Sequence, residues 1–232
     1  MYPSITHIFS QRDRSALAEH IESTAAQSFS PFWFVGWSGE IEASLLDAVF
    51  SARATYGGKE NGVRRLISRW REHRGIDRLD DLTALTTFAD RPDDLAEILG
   101  NRQRVAGNST TKAQAAIEIA TVLVGFGVHS AEQLYDVDDQ RAAVTAIAGV
   151  GPKTWEGIFY MCGLQTLDAY RLVTSFVSQA LGRTVDGDLA LWLLDIHSRS
   201  IGVEYHALEH AIWRYQRRIG PAAPRHSLSE AG

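Results

Sequence analysis

The sequence predicts an all-α fold of roughly ten short helices. Apolar residues recur at intervals of three and four along most of the chain, which is the spacing of a helix with one buried face. Almost no stretch alternates apolar and polar residues with the period of two that half-buried strands show. Hydrophobic residues make up 45% of the 232 residues, enough for one large domain or two small lobes.

The predicted helices follow one another with short breaks at glycine, proline and acidic residues. "GEIEASLLDAVFSARAT" (39–55) is the clearest, with Ile41 and Leu45 on its apolar face. Residues 1–38 are expected to be irregular. Further helices are predicted within residues 63–73, 80–89, 92–100, 108–127 (a loop, then a helix), 129–136, 138–149, 153–163, 169–182, 186–202 and 203–220.

Four segments follow from these breaks. We expect an N-terminal segment, 1–38, that packs on the C-terminal lobe, and a helical lobe over 39–160. A C-terminal helical lobe is expected over 161–220. The remaining residues, 221–232, are expected to form a disordered tail.

Composition excludes several classes of protein. Cys162 is the single cysteine, so one chain cannot build a disulfide framework, a zinc finger or a four-cysteine iron–sulfur cluster. The N-terminus lacks the pattern of a signal peptide, and no apolar run approaches the roughly 20 residues of a membrane span. These features predict a cytoplasmic protein without a membrane partner.

Charge is unevenly distributed along the chain. The formal net charge of −5 argues mildly against a protein that binds nucleic acid non-specifically. Residues 51–78, however, hold eight basic and three acidic residues, a local charge of +5. This segment is either a solvated charged helix face or a surface that attracts phosphates.

The stretch "IAGVGPKTWEG", residues 147–157, predicts a tight turn that leads into a helix. Gly149 allows a left-handed backbone angle, and Gly151 allows a ligand to approach the backbone closely. The helix that begins after the turn presents unpaired N–H groups and the positive end of its dipole, which favour an anion. A phosphate diester fits such a turn, and a plain helix connection is the simpler alternative.

Three stretches resemble the helix-hairpin-helix (HhH-GPD) DNA glycosylase superfamily, in particular its endonuclease III-like branch. They are "LLDAVFSARAT", "GNSTTKAQAAIEIA" and "IAGVGPKTWEGIFYMCGLQTLDAYRLVTSFVSQALGR", and the likeness covers about residues 36–218. Only the glycine turn is a specific motif. The resemblance implies two helical lobes around a DNA-binding cleft, a flipped target base and, here, no iron–sulfur cluster.

The resemblance also implies catalytic residues. Lys153 stands where bifunctional members carry a lysine that attacks the sugar C1′ and forms a Schiff base. Matched without a gap, the position of the family's catalytic aspartate falls on Tyr170, whereas Asp168 lies two residues earlier. Asp168 is therefore either the catalytic acid, in a shorter loop, or a helix cap. In the first case, that of an enzyme, Tyr170 would line the base pocket; in the second, the protein would bind DNA without the classical chemistry.

Other roles carried over from the family concern DNA contacts and a cation. Gly149, Gly151 and Thr154 would hold a phosphate. Arg53 stands where the family has a residue that fills the gap left by the flipped base, and Asn108 falls near its wedge residue. A monovalent cation is the one cofactor implied, and its ligands would be the backbone carbonyls of Thr145, Ile147 and Val150.

These expectations define two alternative functions. The first is a DNA glycosylase with AP-lyase activity that removes a damaged or modified base from double-stranded DNA in base-excision repair, as a cytoplasmic, nucleoid-associated monomer. The second is a protein of the same fold that has lost catalysis and binds DNA or serves as an adaptor. The ungapped match of Tyr170 to the aspartate position favours the second.

Overall fold

The computed structural model describes residues 9–25, 35–52 and 61–219. Within these ranges the chain forms eleven α-helices and one short 3-10 helix, and no strand. An isolated β-bridge joins Arg104 and Thr111 across a loop. The predicted all-α class is confirmed.

The eleven α-helices are numbered here in chain order. They are α1 (Gln11–Ser23), α2 (Ile41–Ser51), α3 (Gly62–Arg74), α4 (Thr83–Thr86), α5 (Pro92–Leu99), α6 (Lys112–Gly125), α7 (Asp138–Thr145), α8 (Pro152–Met161), α9 (Leu167–Leu181), α10 (Gly187–Ser200) and α11 (Tyr205–Ile219). The 3-10 helix spans Ala131–Gln133.

Two predictions about local structure were wrong. Residues 1–38 were expected to be irregular, but α1 forms there. Ser10 accepts a hydrogen bond from the backbone N–H of Asp13, whose carboxylate in turn accepts from the backbone of Ser10, and this capping box starts the helix. The helix predicted over 129–136 shrinks to the single 3-10 turn.

The chain divides into two compact units. The central unit comprises residues 36–166. The terminal unit joins residues 1–35 to residues 167–232.

In the central unit, α2 is the buried helix around which the others pack. All residues from Ile41 to Phe50 are buried, and α2 contacts α3, α6 and α8. It approaches α8 closely, since a Cβ on Gly157 would lie 3.3 Å from the Cβ of Ala48. This packing fixes the start of α8 relative to the end of α2.

In the terminal unit, α9 packs against α1, α10 and α11. The core consists of aliphatic residues and two buried phenylalanines, Phe9 and Phe176. The aliphatic residues include Leu17, Ile21, Val173, Leu193, Leu208 and Ile212. Arg183 pairs with Asp13 at 3.2 Å and links the end of α9 to the start of α1.

Candidate functional site

The predicted glycine turn connects α7 to α8 through residues 146–151. Gly149 has φ +77°, a backbone angle that side chains rarely tolerate. A Cβ at this position would also lie 2.0 Å from the Cγ1 of Val105, far inside van der Waals contact. Glycine is therefore required at position 149 for two reasons: the positive φ, and the close packing of the turn against Val105.

The turn leaves two backbone donors available. The amide of Val150 donates to the Ile147 carbonyl at 3.0 Å and closes the turn. The amides of Gly149 and Gly151 have no hydrogen-bond acceptor within the described ranges. Gly149 is exposed and Gly151 is half-buried, immediately before the positive end of the α8 dipole. Such a pair of donors suits an anion.

Lys153 and Thr154 lie in the first turn of α8. Pro152 occupies the first position, where the missing N–H costs nothing, and so starts the helix. The side chain of Lys153 is exposed. Thr154 is half-buried, and its backbone amide donates to the Gly151 carbonyl at 2.9 Å. The turn is thus followed directly along the chain by an exposed lysine.

A buried tryptophan anchors the start of α8 to the segment before α7. Trp155 is 1% exposed, and its indole Nε1 donates to Oδ1 of Asp136 at 2.9 Å. Arg141 donates to the same carboxylate, with its Nε 3.2 Å from Oδ1. The hydrogen bond from Arg141, followed by that from Trp155, holds the pKa of Asp136 below its ordinary value despite partial burial.

Sequence reasoning did not single out Lys112, the first residue of α6. It is 6% exposed, and its ammonium group donates to the carbonyls of Phe50 and Ala52, each at 3.0 Å, and to Oε1 of Gln103 at 3.2 Å. These bonds use all three of its N–H groups. Burial lowers the pKa of Lys112. Two of its acceptors lie at the C-terminal end of α2, so the lysine caps that helix.

The Lys112 bonds also fix the loop on which the glycine turn sits. The backbone amide of Lys112 donates to the Gln103 carbonyl at 2.8 Å, and the amide of Val105 donates to the Thr110 carbonyl at 2.9 Å. This loop presents Val105 to Gly149. One buried lysine therefore connects the end of α2, the 103–111 loop and the start of α6.

A partly open cavity of about 110 Å³ lies among these elements. Lys112, Gly149 and Thr154 contribute to its lining, and the hydroxyl of Thr154 has no hydrogen-bond partner among the residues that the structure describes. The remaining wall is apolar and consists of Val49, Ala52, Val105, Ala106, Ala115 and Val150. The cavity is built entirely within the central unit.

Asn108, the predicted wedge residue, lies in the same 103–111 loop. Its side-chain oxygen accepts hydrogen bonds from the amide of Thr110 at 3.2 Å and from the hydroxyl of Thr110 at 3.1 Å. The adjacent Gly107 has φ +74°. The Asn108 side chain is thus turned toward its own loop, where it stabilises the bend.

The basic segment at 51–78 is used largely for internal ion pairs. Arg71 lies 2.8 Å from Glu40, and Arg74 lies 3.3 Å from the fully buried Glu42. Arg78 pairs with Asp80 at 3.0 Å within its own loop and donates to the Gly39 carbonyl at 3.0 Å, just before α2. These cations hold α3 and the 78–80 loop to the start of α2. Arg53, which was predicted to fill the gap left by the flipped base, lies outside the described residues.

The two remaining side chains of the predicted site belong to the terminal unit. Asp168 is the second residue of α9 and is half-buried, so it lies inside the first helical turn, where a carboxylate interacts favourably with the dipole. Tyr170 donates its hydroxyl to Asp188 at 3.3 Å. A Cβ on Gly187 would lie 1.9 Å from the Tyr170 hydroxyl, so the ring occupies the space beside that glycine.

The predicted cation ligands lie at the glycine turn. The carbonyl of Ile147 already accepts from Val150, and the Thr145 hydroxyl donates to the Arg141 carbonyl at 2.7 Å. The described residues contain no cluster of histidine, cysteine or carboxylate side chains arranged for a metal. A cation held by backbone carbonyls alone stays a prediction.

The fold and the turn define an all-α protein of two helical units, one of which presents a glycine turn at the start of a helix. A model of a domain of unknown function, DUF8548, matches residues 16–217, and the chain belongs to that family. The chain matches no curated protein and no solved structure. Among the helices that the structure describes, none is long and apolar enough to cross a membrane.

Proposed function

We propose that this protein is a DNA glycosylase of the helix-hairpin-helix type, with AP-lyase activity at Lys153. The arrangement of the glycine turn carries the proposal. Two available amides and an exposed lysine occur within five residues where a helix begins. Gly149 packs against Val105 with no room for a Cβ. A rigid donor pair at a helix N-terminus suits a phosphate diester, because its dipoles need not reorganise when the anion binds.

In the proposed reaction the neutral amine of Lys153 forms a bond to the sugar C1′ as the bond from C1′ to the base breaks. The amine loses a proton, the base leaves with a proton, and opening of the sugar ring converts the amino sugar into a Schiff base. At an existing abasic site, the same amine adds to the aldehyde and water leaves, which gives the same Schiff base. Asp168 would stabilise the positive charge that develops on the sugar. Lys153 lies in the central unit and Asp168 in the terminal unit.

A second candidate function, DNA binding without base removal, is favoured by the surroundings of Tyr170. This tyrosine stands at the ungapped position of the family's catalytic aspartate, and it is bonded to Asp188 beside Gly187. Under this candidate the glycine turn binds the phosphate and Lys153 adds only its charge.

Borohydride reduction tests the proposal and separates the two candidates. The protein is incubated with duplex DNA that carries an abasic site, and reduction converts a Schiff base into a stable covalent complex. The chain has three lysines, Lys59, Lys112 and Lys153, so the experiment needs few variants. We expect trapping by the wild type and by Lys59→Gln, and none by Lys153→Gln.

The outcomes differ between the candidates. Binding of the abasic duplex without trapping would reject the lyase and favour the second candidate, and release of damaged bases by Asp168→Asn would then be measured against the wild type. An absence of binding to any duplex would reject both.

A further inference from the structure

Most arginines of the central unit that the structure describes are occupied by contacts within the protein. The following donate to a carbonyl or pair with a carboxylate: Arg65, Arg69, Arg71, Arg74, Arg78, Arg91, Arg102 and Arg141. Arg64 also has an interaction partner. Arg104 differs, because it is exposed and has no hydrogen bond or ion pair in the part of the chain that the structure describes. An internal contact therefore does not account for its charge.

The 103–111 loop holds Arg104 on its outer side. Gln103 accepts from the ammonium group of Lys112 at 3.2 Å, and Val105 abuts Gly149, so both neighbours of Arg104 face the interior of the unit. Arg104 itself forms the β-bridge with Thr111, and successive side chains of an extended segment point to opposite sides. The guanidinium is therefore directed away from the acceptors inside the unit, which explains its exposure.

The backbone that carries Arg104 is fixed at both ends of the loop. The amide of Lys112 donates to the Gln103 carbonyl at 2.8 Å, and the amide of Val105 donates to the Thr110 carbonyl at 2.9 Å. The hydroxyl of Thr111, opposite Arg104, accepts from the amide of Gln114 at 3.1 Å and is used to start α6. A ligand of Arg104 would thus have to order only one side chain, which keeps the entropic cost of binding small.

The place of Arg104 indicates which anion it would meet. Its neighbour Val105 touches the glycine turn, and consecutive Cα atoms are about 3.8 Å apart, so Arg104 is near the turn without being part of it. Phosphates on one DNA strand follow one another at about 3.4 Å along the helix axis. A strand held at the turn would therefore bring further phosphates to this side. In a protein of net charge −5, attraction for DNA has to come from such local cations.

We propose that Arg104 binds a backbone phosphate of the DNA, separate from the phosphate at the glycine turn. The inference rests on the proposed function and deepens it, since it adds a second anchor for the same duplex. The guanidinium donates two parallel hydrogen bonds to the phosphate oxygens. The contact fixes the position of the DNA and reads no base. It applies to base removal and to DNA binding without base removal alike.

The salt dependence of binding tests the charge of this contact. Affinity for a duplex with a tetrahydrofuran abasic analogue is measured at several salt concentrations. Each phosphate contact contributes about 0.9 to the slope of log K against log salt, so Arg104→Gln should have a slope smaller by about 0.9. Arg102→Gln is the matched control, because Arg102 is exposed two residues away but pairs with Asp93 and Glu97. It should keep the wild-type slope.

The outcomes separate this contact from a general effect of charge, because both variants remove one positive charge. A wild-type slope in Arg104→Gln would overturn the proposal, and so would an equal fall in the two variants. Arg104→Lys retains the charge and should restore the slope, and a failure to restore it would contradict an ionic contact. A wild type that binds no duplex would instead reject the proposed function itself.

Single neutral phosphates locate the contact on the DNA. Each duplex of a series carries one methylphosphonate, at successive positions of both strands. At the phosphate that Arg104 binds, the wild type should lose affinity about fivefold, and Arg104→Gln should be insensitive. At the phosphate of the glycine turn, both proteins should lose affinity equally. The same sensitivity at every position in the two proteins would overturn the proposal.

Discussion

Lys112 and Lys153 lie in the same unit at the starts of two helices, yet their surroundings are opposite. Lys112 is 6% exposed and donates to three oxygens, whereas Lys153 is exposed and follows the glycine turn. The buried lysine holds three elements in place, and the exposed one can meet a ligand. Lys112 therefore stabilises the structure around the site, whereas Lys153 is accessible to a ligand.

The largest expected effect on stability comes from Lys112→Met, which keeps the length of the side chain and removes the ammonium group. The Phe50 and Ala52 carbonyls and the Gln103 amide oxygen would lose a charged donor, at a cost of about 3 kcal/mol in the free energy of unfolding. Lys153→Met should change it by less than about 0.5 kcal/mol. Urea denaturation of both variants measures the difference. Similar losses of unfolding free energy in the two variants would contradict the assignment of a structural role to Lys112 alone.

The next effect concerns the turn that carries Lys153. Gly149→Ala would force a Cβ against Val105 at a positive φ, at a cost of about 2 kcal/mol. Gly151→Ala is the matched control, because no atom lies within 4 Å of a Cβ built there. Thermal unfolding should show a clearly lower midpoint for Gly149→Ala and little change for Gly151→Ala. The reverse order would mean that the turn is not seated on Val105.

The smallest effect concerns the anchor of α8 and depends on pH. The pKa of Asp136 is lower in the folded state than its ordinary 3.8, so its carboxylate stabilises the fold above that pH. Because the carboxylate is partly exposed, Asp136→Asn should cost only about 1 kcal/mol near neutral pH. As the pH falls below 3.8, the wild type loses this advantage and the two proteins converge. A difference in unfolding free energy that stays constant down to about pH 2, well below the ordinary carboxyl pKa, would contradict this account.

The sequence predicted well what depends on local spacing. Apolar periodicity located most helices, and the glycines on either side of Val150 indicated the turn before α8. The buried role of Lys112 was not predictable, since its acceptors on Phe50 and Ala52 lie about sixty residues earlier and meet it only through packing. The ion pairs of the basic segment were not predictable for the same reason. Arg71 and Arg74 reach Glu40 and Glu42, which no local pattern pairs with them.

The missed helix α1 has a different cause. Its apolar positions are few, with only Leu17 and Ile21 buried, so periodicity gave a weak signal. The capping residues Ser10 and Asp13 were the better indication. The division into two units joins chain ends that are far apart in sequence, and that depends on packing between α1 and α9.

Locating the trapped lysine tests the central claim most directly. After incubation with an abasic duplex and borohydride, the covalent complex is digested, and mass spectrometry identifies which of the three lysines carries the sugar remnant. We predict the modification on Lys153, the exposed lysine of the glycine turn. Modification of Lys112 would contradict the assignment of the buried lysine to structure, and a protein that binds the duplex but is modified at no lysine would contradict the lyase.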